Sequence, residues 1–158
     1  SAASDVYKRQ ELISMIRKFE KKDTERVMQI WLEVNIETHD FVPSKYWLSQ
    51  YQSVQKQILQ ADIYVYEQDK EIQGFVGMMD DYLAGIFVDK KCRSMGIGKS
   101  LLECVKKNYP AFSLNVYQKN RRAVNFYLRE GLSIVSKEID EDTGETDYTM
   151  AWNQKGVR

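Results

Sequence analysis

A glycine-containing loop in the middle of the chain has the residue types of a phosphate-binding turn. The pattern Arg93-x-x-Gly96-x-Gly98 lies between a strand-like run and a helix-like run. Glycine lets backbone N–H groups approach a ligand closely, and the following helix N-terminus favours anions. Lys90 and Lys99 add positive charge. The pattern predicts a pyrophosphate site, and the alternative is a plain strand-to-helix turn with basic residues on its surface.

Two better-known nucleotide motifs are each excluded by a single residue. Gly98-Lys99-Ser100 matches the end of a P-loop, but the first glycine of that motif would have to stand where the chain has Arg93. A dinucleotide-binding fingerprint needs a glycine three residues after Gly98, where the chain has Leu101. The loop therefore belongs to neither class.

Composition limits the function classes. The chain has 158 residues, of which 43% are hydrophobic, so it has the size and apolar content of one domain. Its 23 basic residues equal its 23 acidic ones, which argues against nucleic-acid or membrane-surface binding. Cys92 and Cys104 lack metal-site spacing, and His39 is the only histidine. We expect free thiols, a cytoplasmic location and no metal.

Hydrophobic periodicity predicts an α/β fold with a mixed sheet. The predicted order is β-α-α-β-β-β-α-β-α-β-β. Strands are expected at 15–19, 63–67, 72–79, 82–88, 112–117, 132–139 and 146–152, and helices from about 23, 43, 98 and 120. The strand, loop, helix and strand over 82–117 imply a parallel crossover.

The first residues look foreign to the rest of the chain. The stretch SAASDVYKRQ resembles a translated sequencing adapter. We expect residues 1–14 to be a non-native, disordered leader and Met15 to be the natural start. The predicted domain then covers 15–153, followed by a tail over 154–158.

A second motif gives the chain a family resemblance. Residues 115–127 read Asn-Val-Tyr-Gln-Lys-Asn-Arg-Arg-Ala-Val-Asn-Phe-Tyr and are followed by Glu130-Gly131-Leu132. Together with the upstream glycine loop, this stretch resembles the signatures of the GNAT N-acetyltransferase family, over 15–152. It looks most like small single-domain bacterial members that acetylate protein lysines. The resemblance implies a GNAT-type, strongly twisted mixed sheet of about seven strands, with helices on both faces.

The resemblance also implies acetyl-CoA as the acyl donor, held between two parallel strands that separate. Backbone groups of one strand would bind the pantetheine arm, the glycine loop would hold the pyrophosphate, and an asparagine side chain would bind the cofactor arm. The residues so assigned are Ile86, Phe87, Val88, Arg93, Ser94, Met95, Gly96, Ile97, Gly98, Lys99, Asn120 and Tyr127.

Tyr127 matches the family's tyrosine near the coenzyme sulfur. Its phenol would donate a proton to the departing thiolate, and general-acid catalysis contributes about 10²–10⁴-fold. The alternative role for this residue is that of a core tyrosine on a helix face.

The sequence does not identify which residue acts as the general base. Many family members carry a glutamate on the strand before the glycine loop, but residues 82–88 contain no acidic residue. Candidates for the base or the acceptor pocket are Tyr82, His39, Glu33, Asp80 and Asp81. His39 has a suitable ordinary pKa, and Tyr82 would either line the acceptor pocket or be a half-buried strand aromatic.

The acceptor side should involve residues 37–47 and the turn at 140–145. Both combine aromatic or acidic residues, which suit a cationic amine, although aromatics are often core and acidic turns often simply solvated. We expect transfer to a protein lysine or N-terminus. The alternatives are a small amine of the polyamine or aminoglycoside type, or a non-catalytic acyl-CoA sensor, in a monomer or homodimer.

Overall fold

Helices and strands follow one another as the sequence predicts, with one further helix at the N-terminus. The computed structural model describes residues 1–156, apart from the side chains of 12–14. The helices are α1 (Ala2–Ser14), α2 (Thr24–Thr38), α3 (Ser44–Ile58), α4 (Ile97–Asn108) and α5 (Arg121–Arg129). The strands are β1 (Ile16–Lys18), β2 (Asp62–Gln68), β3 (Glu71–Met79), β4 (Tyr82–Val88), β5 (Ala111–Tyr117), β6 (Ser133–Ile139) and β7 (Thr146–Asn153).

The seven strands form one mixed sheet in the order β1-β2-β3-β4-β5-β7-β6. β4 and β5 are parallel, and each of the other neighbouring pairs is antiparallel. The helix α4 makes the crossover between the parallel pair, which confirms the crossover predicted over 82–117. Tight turns close the β2–β3 and β3–β4 hairpins, with positive φ at Asp69, Lys70 and Asp80.

The N-terminal segment differs from its expected disorder. Ala2–Ser14 forms the helix α1, and Arg9 lies 3.7 Å from Glu103 of α4. The segment contains no glycine or proline and is rich in residues with good helix propensity, a local preference that its low apolar content concealed. The non-native origin of this segment and the start at Met15 stay predictions.

Two hydrophobic cores lie on opposite faces of the sheet. The first packs α4 and α5 against one face, with Leu101, Leu114 and Met150 fully buried. The second packs α2 and α3 against the other face of β2 and β3, around Met28 and Val65. This arrangement confirms helices on both faces.

Part of the second face carries polar side chains. Core residues of β5 alternate with Ser113, Asn115 and Tyr117, which point to the α2–α3 side of the sheet and are exposed or half-buried. On β7, Asp147 and Thr149 lie opposite Tyr117 and Asn115. We call this surface of β5 and β7 the polar face.

An ion-pair network joins β1, β2 and the start of α2. The Arg17 guanidinium contacts Asp23 at 2.8 and 3.0 Å and Glu67 at 3.1 and 3.0 Å. Asp23 is 5% exposed, and its carboxylate also accepts from the Glu20 N–H at 2.8 Å. The sequence suggests Asp23 or Thr24 as a helix cap. Asp23 does stand at the N-cap of α2, but its side chain makes no cap hydrogen bond there.

No group of three or more His, Cys, Asp or Glu side chains in the described part of the chain is arranged to hold a metal ion. None of the described helices has the length and apolarity needed to cross a membrane. Both cysteines, Cys92 and Cys104, are free thiols.

Candidate active site

The parallel strands β4 and β5 are paired only where they begin. Tyr82 is in register with Ser113, whose N–H donates to the Asp81 carbonyl at 3.1 Å. On its other edge, β4 stays paired with β3 up to Val88. The β5-facing backbone edge of Ile86–Val88 therefore has no strand partner within the described chain. We call the space between the two strands the gap.

A β-bulge in β4 sets the direction of the side chains beside the gap. Leu83 pairs with Met78 and Gly85 with Gly77, so Ala84 is one extra residue. After the bulge, Phe87 stacks on Phe75 in the second core at 5.0 Å between ring centroids. A Cβ on Gly85 would lie 2.5 Å from the Phe87 ring, so any larger residue here would displace that ring from its stack on Phe75.

The glycine loop brings an uncapped helix N-terminus to the end of β4. Ser94 and Gly96 have φ of 66° and 84°, and Gly96 is the N-cap of α4 with no side-chain cap bond. The first N–H groups of a helix lack intrahelical acceptors, so they are available to an anion. A Cβ on Gly98 would sit 3.8 Å from Val88 and 3.9 Å from Phe126, in ordinary contact. The unpaired β4 edge and this open helix end fit an extended ligand that carries a phosphate.

The basic residues of the loop are tied to α2. The Arg93 Nη1 lies 2.9 Å from the Glu37 Oε1, and its Nη2 donates to the Thr38 hydroxyl at 3.4 Å. Lys90 lies 3.8 Å from the other Glu37 oxygen. On α4, Lys99 reaches Glu130 at 4.0 Å. From the sequence, these positive charges are expected near a bound phosphate. In the structure, Arg93 also holds the loop against the end of α2.

We expect Arg93→Ala to raise the Kd for acetyl-CoA about 10-fold, because it removes a charged donor and the loop's contact with Glu37. Isothermal titration calorimetry measures this effect. Lys91→Ala is the matched control, since Lys91 is exposed and its ammonium forms no ion pair with a described residue. An unchanged Kd in Arg93→Ala would contradict a pyrophosphate site in this loop.

Asn120 joins the start of α5 to the end of α2. Its Oδ1 accepts from the Ala123 N–H at 3.3 Å, which is an N-cap bond and fixes the orientation of the amide. Its Nδ2 then points to the His39 Nε2 at 3.3 Å. Because an amide nitrogen only donates, we assign Nε2 as the acceptor and place the His39 proton on Nδ1.

His39 is enclosed by aromatic rings. It stacks on Trp47 at 5.3 Å and meets Phe41 and Tyr117 edge-on at 5.7 and 5.1 Å between centroids. Burial lowers the pKa of His39 to about 4, although nearby Asp40 opposes the shift. A neutral imidazole with this pKa is a poor base for an ammonium of pKa about 10.4. His39 instead accepts a hydrogen bond from Asn120 and so holds that side chain in place.

Tyr127 and Tyr82 lie on opposite sides of the sheet near the gap. Tyr127 is 7% exposed and packs in the core beneath β5. Burial, with a smaller contribution from nearby Tyr82, raises the pKa of Tyr127. On the polar face, the Tyr82 hydroxyl donates to the Asn115 Oδ1 at 2.8 Å. Tyr127 thus keeps its proton at neutral pH, on the side of the sheet away from the polar face.

The remaining base candidates do not converge on Tyr127. Glu33 is exposed on α2 and accepts from Gln29 at 3.2 Å. Asp80 and Asp81 are exposed in the β3–β4 turn, at the end of β4 away from the glycine loop. The structure joins His39 to Asn120 and Tyr82 to Asn115, but none of these three carboxylates hydrogen-bonds to either pair in the described part of the chain.

The segments expected to form the acceptor side meet over the polar face. Phe41 contacts Tyr117 edge-on at 5.5 Å, and the Tyr117 hydroxyl donates to Asp140 at 3.0 Å. Lys119 pairs with Glu145 at 2.6 Å, so part of the acidic turn is neutralised from within the chain. Trp47 is buried, which agrees with the alternative that the aromatic residues of this segment belong to the core.

The sequence did not indicate three residues of the polar face. The Asn115 Nδ2 donates to the Thr149 hydroxyl at 3.0 Å, and Asp147 lies two residues before Thr149 on the same face of β7. Alternation of Asn115 with buried Leu114 and Val116 was a usable signal for the face, but the pairing of β5 with β7 was not visible in the sequence.

Comparison with known proteins gives this geometry a context. Residues 33–153 match the family model described as an acetyltransferase (GNAT) domain. Peptidyl-lysine N-acetyltransferase YiaC of Escherichia coli K12 is 34% identical over 140 residues, covering 87% of this chain and 96% of that protein. Peptidyl-lysine N-acetyltransferase YjaB of the same organism is 26% identical over 136 residues, covering 85% and 92%.

Solved structures with a similar fold include two bacterial proteins. The solution structure of apo-form YjaB from Escherichia coli has a TM-score of 0.76 at 24% identity, covering 90% of this chain and 97% of that one. The putative acetyltransferase yncA of Salmonella typhimurium, solved with its cofactor acetyl-CoA, has a TM-score of 0.65 at 13% identity, covering 90% and 95%. These similarities confirm the predicted fold.

Proposed function

This chain belongs to the GNAT family of acetyl-CoA-dependent N-acetyltransferases, and we propose that its acceptor is the side-chain amine of a protein lysine. The observation that carries the acceptor class is the similarity to YiaC, named a peptidyl-lysine N-acetyltransferase, across 87% of the chain. The gap lies between the buried Tyr127 and the polar face. This arrangement supports amine acetylation, because the acceptor amine and the proton donor Tyr127 would then approach the thioester from different sides.

The parts of the site divide the work of binding. The unpaired β4 edge at Ile86–Val88 would bind the pantetheine arm through backbone hydrogen bonds. The open N-terminus of α4 and the loop from Arg93 to Gly98 would hold the pyrophosphate. Asn120, oriented by the Ala123 N–H and supported by His39, would bind the cofactor arm.

Tyr127 would act as the general acid. Acetyl-CoA supplies the acetyl group as an activated thioester. The Tyr127 hydroxyl holds its proton through the neutral pH range, because burial raises the pKa of Tyr127. A proton held at this atom is available to a sulfur leaving group, while the enclosing core of α5 and β5 excludes water from that side.

A small polyamine is the second candidate acceptor. The turn of the β6–β7 hairpin carries Asp140, Glu141 and Asp142, and Lys119 neutralises only Glu145 in this region. An acidic rim of this kind would also attract a free polycation. A cytoplasmic location, for which the two free thiols are the support, is part of the same proposal.

Coenzyme-A release from acetyl-CoA tests the acceptor. The full chain would be assayed with lysine peptides, N-terminal peptides blocked at lysine, polyamines and aminoglycosides. Release with lysine peptides alone, with acetyl-lysine identified by mass spectrometry, is the expected result. Faster release with polyamines than with any peptide would overturn the lysine proposal in favour of the second candidate.

A further inference from the structure

One carboxylate ends a chain of polar side chains that begins at the gap. Tyr82 donates to Asn115 at 2.8 Å, and Asn115 donates to Thr149 at 3.0 Å. Asp147 stands two residues before Thr149 on β7 and directly opposite Tyr117. Alternate residues of a strand share a face, so Asp147 lies beside Asn115 and Thr149 on the polar face.

Among residues 1–156, no basic side chain forms an ion pair with Asp147, whereas nearby Glu145 has Lys119 at 2.6 Å. Burial raises the pKa of the Asp147 carboxyl. Asn115 opposes that shift, and the carboxylates of Asp140 and Glu138 add to it. A half-buried carboxylate without a cation is stabilised when a ligand brings one.

Asp147 interacts electrostatically with Tyr82, and Tyr82 interacts with Tyr127. Burial and the Asp147 carboxylate both raise the pKa of Tyr82, while its contact with Asn115 lowers it. Tyr82 in turn is close enough to contribute to the raised pKa of Tyr127. Asp147 therefore lies on the polar face, one strand away from the gap and on the side of the sheet opposite Tyr127.

We propose that Asp147 binds the ammonium group of the acceptor and orients that nitrogen toward the gap. The inference rests on the proposed function and identifies how that function selects its substrate. A carboxylate here favours an acceptor that is cationic in solution over a neutral one of the same length. Asn115 and Thr149, which hydrogen-bond each other, hold the surface beside Asp147 in place. Asp147 is then the residue that determines specificity for a cationic side chain.

Steady-state kinetics of the full chain with a lysine peptide test this assignment. Asp147→Asn is expected to raise the KM for the peptide about 10- to 100-fold, the usual effect of losing a charge-assisted hydrogen bond. The KM for acetyl-CoA should change less than about twofold, and Asp147→Glu should recover part of the loss, since it restores the charge.

Glu138→Gln is the matched control. Glu138 lies opposite Asp147 on the neighbouring strand β6, and the substitution makes the same change in net charge. A peptide with norleucine in place of lysine, used as a competitive inhibitor, has the same apolar stem without the ammonium. Its Ki should be equal in the wild type and in Asp147→Asn, which a general loss of structure would not allow.

The possible outcomes distinguish a failure of the Asp147 assignment from a failure of the proposed lysine acetylation. An unchanged peptide KM in Asp147→Asn, an equal rise in Glu138→Gln, or a parallel rise in the norleucine Ki would each overturn the role of Asp147. If the wild type acetylates polyamines and no lysine peptide, the lysine proposal fails. A KM for spermidine that rises in Asp147→Asn would then still support ammonium binding, and an unchanged one would overturn it.

Discussion

Tyr127→Phe is expected to lower kcat by about 10²-fold or more while leaving the KM for acetyl-CoA within about twofold. The substitution removes only the hydroxyl, so the ring still fills its place in the core among α5 and β5. Burial raises the pKa of Tyr127, and the proton it retains is the one lost in the variant. Coenzyme-A release under saturating substrates measures the change.

Tyr109→Phe provides the control for this substitution. This control substitution also removes a tyrosine hydroxyl. Burial and the hydrogen bond to Asp62 both raise the pKa of Tyr109, as burial does for Tyr127. Tyr109 follows α4 near the start of β5, away from the glycine loop. We expect its kcat to stay near the wild-type value. A Tyr127→Phe enzyme that turns over as fast as Tyr109→Phe would show that the thiolate receives its proton elsewhere.

Arg17→Met is expected to lower the free energy of unfolding by about 3 kcal/mol, because it leaves the Asp23 carboxylate buried without its partner. The value is at the lower end for a broken buried pair, since the Arg17 side chain is 27% exposed. For a chain of this length the melting temperature should fall by roughly 6–12 °C. Urea unfolding followed by circular dichroism gives the free energy.

Lys22→Met is the matched control, because it removes one positive charge from an exposed pair. Lys22 lies 3.3 Å from Glu20, with side chains 73% and 58% exposed, and such pairs contribute about 0–1 kcal/mol. Equal destabilisation by both variants would contradict a special role for the Arg17 network.

The same network predicts a dependence on pH. The hydrogen bond from Arg17 lowers the pKa of Asp23 against the opposing effect of burial. A lowered pKa contributes stability above the ordinary carboxyl value of about 3.9 and loses it as the pH falls further. Wild-type stability should therefore decline below about pH 4, and the decline should be shallower in Arg17→Met.

The order of helices and strands was readable from the chain because it depends on local rules. The 3.6-residue spacing of apolar residues in α2, the strand alternation in β5 and the glycine loop before α4 each report on neighbours within a few residues. The helix α1 was missed, although its composition favours a helix, because it lacks an apolar stretch to indicate packing.

The assignment of roles depended on distant contacts. His39 has the ordinary pKa of a base, but its pKa is set by Trp47, Phe41 and Tyr117, which enclose it, and its proton by Asn120 from far along the sequence. Likewise, Arg93 has the charge for a phosphate, yet Glu37 decides where its guanidinium lies.

There is a physical reason why the sequence determines some features and the tertiary structure determines others. Residue types and short spacings determined the α/β order and the crossover loop, since backbone geometry and helix-terminus electrostatics act over one or two turns. The candidate acid Tyr127 came from the resemblance to the GNAT family. Only the tertiary structure decided that β4 and β5 separate after Tyr82, and that Asp147 and Asn115 meet on one face. Strand pairing between remote segments sets those positions, because a shift of one residue in register would move every side chain to the opposite face.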